Sequence, residues 1–218
     1  MKIIEISGVI ENGMWDYGAP FPKASIEEIA RIERDGFCAH KFTLSILSGT
    51  YLETGAHLLS GVRMLDEVRI EEMFREALVI KIPIKNEGEH VTVEDLEKSG
   101  PFIRESDALL VYTGWDRMWN KKIFVKGSPH FTAEAMDWLI SKKITLLGGD
   151  MPCYDDPRDP EDAKNLPLLR RYYATGGLVL APVVNLRKVT ASRVKLIVFP
   201  LPVKGVCAAP CRAIIEEK

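Results

Sequence analysis

Thr50, Tyr51, Glu53 and His57 fall within eight positions of one otherwise apolar run, SGTYLETGAHLLSG (residues 48–61). A carboxyl four residues before an imidazole is raw material for proton transfer, because burial brings both groups to titrate near neutrality. On an extended strand Tyr51 and Glu53 share a face, which would place a phenol beside the carboxyl as a donor to a substrate oxygen. The same residues could form a purely structural Glu–His pair, and both readings stay open on the residues alone.

Other candidates surround this run. In LLGGDMPCYDD (146–156) a buried strand ends on Asp150, at the carboxyl edge where polar site groups of α/β folds collect, with Cys153 beside it. A turn or cap role for that Asp is equally open. The loop GMWDYGAPFP (13–22) presents Trp15, Tyr17 and Phe21 with no helical or strand period, as expected of aromatics lining a ligand site. Tyr51, Glu53 and His57 are thus the catalytic candidates; Trp15, Tyr17, Phe21, Thr50, Asp150 and Cys153 are the substrate-binding ones. Cys153 or Cys207 could serve as nucleophile with His57 as base, though spacing places neither thiol near the imidazole. His40, His90 and His130 read as structural or solvated.

These groups need a scaffold. The runs 78–84, 108–114, 144–150, 178–186 and 194–203 are continuous in apolar, largely β-branched residues and predict buried strands. Helices are predicted over 24–36, stopped by Gly36, and over 90–100, capped by Thr92 and stopped by Gly100. Others are predicted over 131–143, capped by Thr132, and over 160–177, broken at Pro167. Strand–helix alternation with neither repeat nor linker argues one α/β domain, residues 1–218.

Composition narrows the function classes. The net charge of −2 supplies no field to attract nucleic acid or an anionic membrane. No run reaches a membrane span, and polar residues interrupt the start at once, so a cytoplasmic protein is expected. The four cysteines are too sparse for a disulfide scaffold, and the Cys207/Cys211 pair lacks the second pair a zinc knuckle would need.

The order of several segments resembles the cyclase family of metal-dependent hydrolases, which includes kynurenine formamidase and isatin hydrolase. The matching pieces are the Gly49-Thr50 core of SGTYLETGAH, EDLE (94–97), DALLVYTGWD (107–116), KKITLLGGDMPCYDD, Asn185-Leu186 and LIVFPLPVKGVCAAPCRAI (196–214). The resemblance covers nearly the whole chain. It implies the swivelling β/β/α fold, a homo-oligomer (dimer or tetramer) and an arylformamidase-like hydrolase or lyase acting on the carbonyl of a small amide, lactam or cyclic metabolite.

The family's metal motif, His-x-Gly-Thr-His-x-Asp-x-Pro-x-His, laid on Gly49-Thr50, puts its two ligand histidines on Leu47 and Tyr51. Its aspartate falls on Glu53, its proline on Gly55 and its catalytic histidine on His57. A later glutamate ligand falls on Ala181, and no histidine follows His130. Leucine has no donor atom and neutral tyrosine is a poor ligand for zinc or manganese. No cofactor is therefore expected, unless zinc or manganese binds a rearranged set such as Glu53, His57 and Asp150 or Cys153. The alternatives are an inactive family member that binds a small metabolite and a hydrolase with relocated ligands.

Overall fold

Apolar residues that alternate faces along each central strand build two cores, one on either side of a single sheet. The computed structural model describes residues 1–99, 103–105 and 107–217. In β5 (Phe74–Lys81), Leu78 and Ile80 point to an outer core while Ala77 and Val79 point inward. In β7 (Ala108–Tyr112), Leu109 and Val111 face out and Ala108 and Leu110 face in. β9 (Leu146–Gly149) and β10 (Leu178–Ala181) repeat the pattern. Strands buried on both faces need apolar residues at every position, which is why these segments read as unbroken runs.

These four strands are parallel in the order β5–β7–β9–β10. Antiparallel pairs complete the ring: β10 with β4 (Tyr51–Glu53), β4 with β12 (Ala208–Glu217), β12 with β11 (Arg193–Pro200), and β11 with β5. The result is a closed seven-stranded barrel. β1 (Lys2–Glu5) takes the far end of the β12 edge, beyond the stretch that β4 occupies. The helices lie on the outer core. Leu96 of α2 (Val93–Ser99), Met136 and Leu139 of α3 (Ala133–Ser141), and Tyr172 and Tyr173 of α5 (Pro167–Tyr173) pack there. This is the mixed α/β architecture expected from the sequence.

Capping follows the sequence closely. Thr132 accepts from the Ala135 amide at the start of α3, and Thr92 accepts from the Asp95 amide at α2. The expected stop at Gly100 lies outside the described residues. Pro167 divides the fourth predicted helix into α4 (Pro160–Asn165) and α5, with Leu166 left-handed between them.

The helix predicted over 24–36 is not present. Residues Ser25–Ala30 form β2, paired antiparallel with β3 (Ala39–Thr43), and only α1 (Ile32–Asp35) is helical before Gly36. An amphipathic helix needs a surface to bury its apolar face. Here Ile29 and Phe42 stand 55% and 61% exposed, so the isoleucines satisfy their backbone in a hairpin instead, with Ile26 opposite Phe42. His90, at the start of one predicted helix, and His130, just before another, sit opposite each other in a short parallel pair, β6 (His90–Val91) and β8 (His130–Phe131). No helix among the described residues is long and apolar enough to cross a membrane.

Candidate active site

The register of β4 decides which of its side chains can do chemistry. Glu53 lies opposite Val179 on one side and Ala208 on the other, while Tyr51 lies opposite Ala181 and Pro210. Leu52 enters the barrel interior, so Tyr51 and Glu53 emerge together on the outer face. Thr54 then caps a 3-10 turn, Gly55–His57, accepting from the Ala56 amide and donating to the Cys207 carbonyl. That turn folds the imidazole back over the strand, leaving His57 Nδ1 3.2 Å from Glu53 Oε1.

Gly55 permits a second approach. A Cβ there would stand 3.2 Å from Cβ of Tyr173, so the missing side chain lets α5 come close. Tyr173 uses that proximity to donate its hydroxyl proton to Glu53 Oε2 at 2.7 Å. Glu53 is 2% exposed. Burial pushes its carboxyl up to about 8, opposed only in part by the Tyr173 hydrogen bond. Burial, together with the nearby Arg170 charge, holds the His57 imidazole below its ordinary value. Both shifts disfavour charge, so at neutral pH the pair carries the Glu53 proton and no net charge. The Glu53 Oε1–His57 contact lies within reach yet lacks hydrogen-bond alignment, leaving that oxygen without a formal partner.

The pair opens on a cavity of about 510 Å³. Six of the nine candidates, Tyr17, Phe21, Tyr51, Glu53, His57 and Cys153, line it. The remaining three candidates do not. Thr50 is a structural latch: its hydroxyl donates to the Pro182 carbonyl at 2.6 Å and accepts from the Gly8 amide at 2.9 Å. Asp150 is turned toward the end of β7, accepting from the amide and hydroxyl of Thr113, both at 2.8 Å. Burial raises its carboxyl to about 6 against those hydrogen bonds. Trp15 stands behind the wall, edge-on to Tyr17 and Trp119. Thr50, Asp150 and Trp15, expected to bind substrate, thus lie outside this cavity. Thr50→Val should cost about 1–3 kcal/mol of unfolding free energy by stranding the Gly8 amide and the Pro182 carbonyl. Urea denaturation measures this, and an unchanged midpoint would remove the latch role.

Tyr51 is also placed differently from expectation. Tyr17 donates to the Pro152 carbonyl at 2.9 Å, so in the 2.8 Å contact between the two phenols Tyr51 must donate to Tyr17. The Tyr51 proton is therefore engaged within the protein. Neither thiol is set up as a nucleophile. Burial pushes Cys153 up to about 12. Cys207 Sγ lies 3.8 Å from the same ring nitrogen, Nδ1, that faces Glu53, so thiol and carboxyl compete for one atom rather than flanking the ring.

Sequence reading missed Tyr173 and Tyr154. Tyr154 lines the cavity, and its buried hydroxyl has no hydrogen-bond partner. Two phenols that the sequence places in helix and loop gave no local signal, because the site they join is built on Glu53, about a hundred residues or more away. Lys126 and Lys164 also line the cavity.

The residues present do not supply the donor set that the family resemblance implies. Leu47 lines the cavity without a donor atom, the Tyr51 hydroxyl is paired with Tyr17, and Ala181 lies opposite Tyr51. Of the rearranged set, Asp150 is turned to Thr113 and away from the cavity that Glu53, His57 and Cys153 line. Among the described residues no three His, Cys, Asp or Glu side chains come close enough to hold a metal ion.

The chain is a member of the putative cyclase family, whose profile matches residues 4–156. It is similar to the kynurenine formamidase of Bacillus thuringiensis (strain Al Hakam), at 25% identity over 213 residues, 98% of this chain and 96% of that protein. It is similar also to the kynurenine formamidase of Bacillus anthracis, at 27% identity, 99% of this chain and 97% of that protein. Among solved structures it superposes on an isatin hydrolase bound to the product analogue thioisatinate with a TM-score of 0.84. There the identity is 21%, with 100% of this chain and 93% of that one covered. A potential metal-dependent hydrolase with cyclase activity superposes at 0.76, with 19% identity and 100% and 99% coverage. At these identities the structural likeness establishes the fold.

Proposed function

We propose that the protein is a hydrolase that cleaves the carbonyl–nitrogen bond of a small amide, formamide or lactam, and that it does so without a metal, using Glu53 and His57 as its acid/base pair. The observation that carries this reading is the 3.2 Å approach of Glu53 Oε1 to His57 Nδ1 at the wall of a cavity. The relatives' names, kynurenine formamidase and isatin hydrolase, support the bond type.

The chemistry follows from the two ring nitrogens. Nδ1 faces Glu53, which leaves Nε2 as the nitrogen for the substrate side. While Glu53 keeps its proton and a small rotation of either group aims it at Nδ1, Nε2 carries a hydrogen and can only donate. Once the pair loses that proton, Nδ1–H points to the Glu53 carboxylate and Nε2 becomes a base. Nε2 then takes a proton from water as its oxygen attacks the carbonyl carbon. It returns that proton to nitrogen as the carbon–nitrogen bond breaks. Tyr154, with no partner of its own, is the hydroxyl best able to satisfy the carbonyl oxygen as charge builds on it. Tyr17 and Phe21 give the cavity aromatic walls suited to a ring-bearing substrate.

A panel of aryl formamides and lactams, assayed on protein dialysed against chelator, tests the proposal. Turnover should survive dialysis and gain nothing from added zinc or manganese, and His57→Ala should lower it about 10²–10⁴-fold with the fold intact. Activity that appears only with added metal would overturn the metal-independent mechanism. Since Tyr51 donates to Tyr17 and not to the cavity, a metabolite-binding protein is the second reading. It would show saturable ligand binding with no product.

A further inference from the structure

A second cavity of about 380 Å³ adjoins the first, and its chemistry differs. It is lined by the loop 13–18, by Lys23, by residues 120–122 and by Val125 and Lys126, and it shares Tyr17, Val125 and Lys126 with the proposed catalytic cavity. Four lysines line it, Lys23, Lys121, Lys122 and Lys126. Among the described residues none of the four is held in an ion pair with a carboxylate of the protein, although lysines elsewhere, such as Lys2 and Lys85, are so held.

Acceptors are scarce there. Asp16 is the one lining carboxylate, and its Oδ1 already accepts from the Gly18 amide at 2.7 Å. Asn120 directs its amide to Glu11 at 2.8 Å, so its polar end is partly committed to the rim. Trp15 lines the cavity, and its indole N–H is buried with no acceptor. A buried N–H left unpaired costs free energy that a bound acceptor would recover. Lysines gathered without acids repel one another until an anion joins them. Both features call for the same occupant, one rich in oxygen lone pairs and negatively charged.

We propose that this second cavity is an anion subsite that takes the carboxylate or phosphate end of the molecule whose reacting carbonyl lies at Glu53 and His57. The inference rests on the hydrolase reading for which carbonyl reacts, but the anion site itself is testable without turnover. Tyr17 and Lys126, common to both cavities, form the wall along which such a substrate would extend. Selectivity would then come from the lysines, far from the scissile bond, with the charged tail fixing orientation.

Calorimetric titration with 3-phenylpropionate, 2-phenylethyl phosphate and neutral 3-phenylpropanol tests it. The anions should bind at least about tenfold more tightly than the alcohol, and their affinity should fall with added salt. The triple variant Lys23→Gln, Lys121→Gln, Lys122→Gln changes only exposed side chains and leaves the shared Lys126 in place. It should lose about tenfold in anion affinity and bind the alcohol as before. Preference for the phosphate over the carboxylate, or the reverse, supports the site and names its anion. In turnover, the same variant should raise KM for an aryl formamide bearing a carboxymethyl tail and leave the untailed formamide unaffected. Equal binding of anion and alcohol, or anion binding unchanged in the triple variant, would overturn the subsite. Failure of the hydrolase reading would look different: no formamide would turn over, while the binding results stood as described.

Discussion

For an uncharged aryl formamide, kcat/KM should climb with pH and level off above an inflection near 8, and Glu53→Gln should abolish that inflection. The direction comes from the proton that Glu53 retains. Its carboxyl titrates at about 8 because it is fully buried and its one hydrogen-bond donor, Tyr173, compensates only in part. Below that pH the Glu53–His57 pair keeps its proton, and Nε2 is hydrogen-bearing and cannot act as base. Above it, Nε2 is free and the rate depends no further on pH. Because the contact couples the two groups, the inflection belongs to the pair rather than to Glu53 alone. A glutamine amide cannot ionise, so Glu53→Gln should run at a low, flat rate, about 10²–10⁴-fold below the wild-type plateau. A rate that falls through pH 8 would assign the pair as general acid. A rising limb that persists in Glu53→Gln would show that the titrating group lies elsewhere.

What the sequence disclosed about this pair, and what it hid, divides along sequence distance. Tyr51 and Glu53 sharing a face was legible, because strand alternation sends Leu52 the other way. The return of His57 over Glu53 depends on the turn at Gly55, a feature visible in the sequence as a glycine where the family motif has proline. The two contacts that set the chemistry of Tyr51 and Glu53 were not legible. Tyr173 reaches Glu53 from α5, and Tyr17 takes the Tyr51 proton only because the Pro152 carbonyl takes its own. Asp150 shows the same limit from the other side. Its position at a strand end was right, yet Thr113 at the end of a neighbouring strand claims its carboxylate, so the chemistry went to structure. The buried strands of the barrel were legible because strands covered on both faces write continuous apolar runs, whereas its closure through β4 and β12 was not. The β2–β3 hairpin was not, since neither partner buries a face and pairing alone distinguishes it from a helix.

The burial that raises Glu53 also sets a stability cost, and Glu53→Gln should therefore make the protein more stable at pH 8 while changing little at pH 5. The folded carboxyl titrates at about 8 and an unfolded glutamate near its ordinary value of 4.5. Between these values the unfolded chain releases a proton that the folded chain keeps, so stability falls as pH rises through this window and is lowest above 8. The penalty at pH 8 amounts to as much as about 4 kcal/mol for a shift of this size. The substitution removes the ionisation, and the new amide oxygen can still accept from Tyr173. The lowered His57 value works in the opposite sense, costing stability as pH falls below the ordinary imidazole range, but it is present in both proteins and largely cancels from their difference. Urea unfolding at pH 5 and pH 8, with equal m-values, isolates the effect. A variant no more stable than wild type at pH 8 would mean that Glu53 is already ionised well below that pH, as in an ion pair with His57, and the base would then be available at neutral pH. The activity and stability measurements thus bear on one proton. If the pair must shed it to work, the wild-type protein is most active under the conditions in which burying Glu53 costs it most.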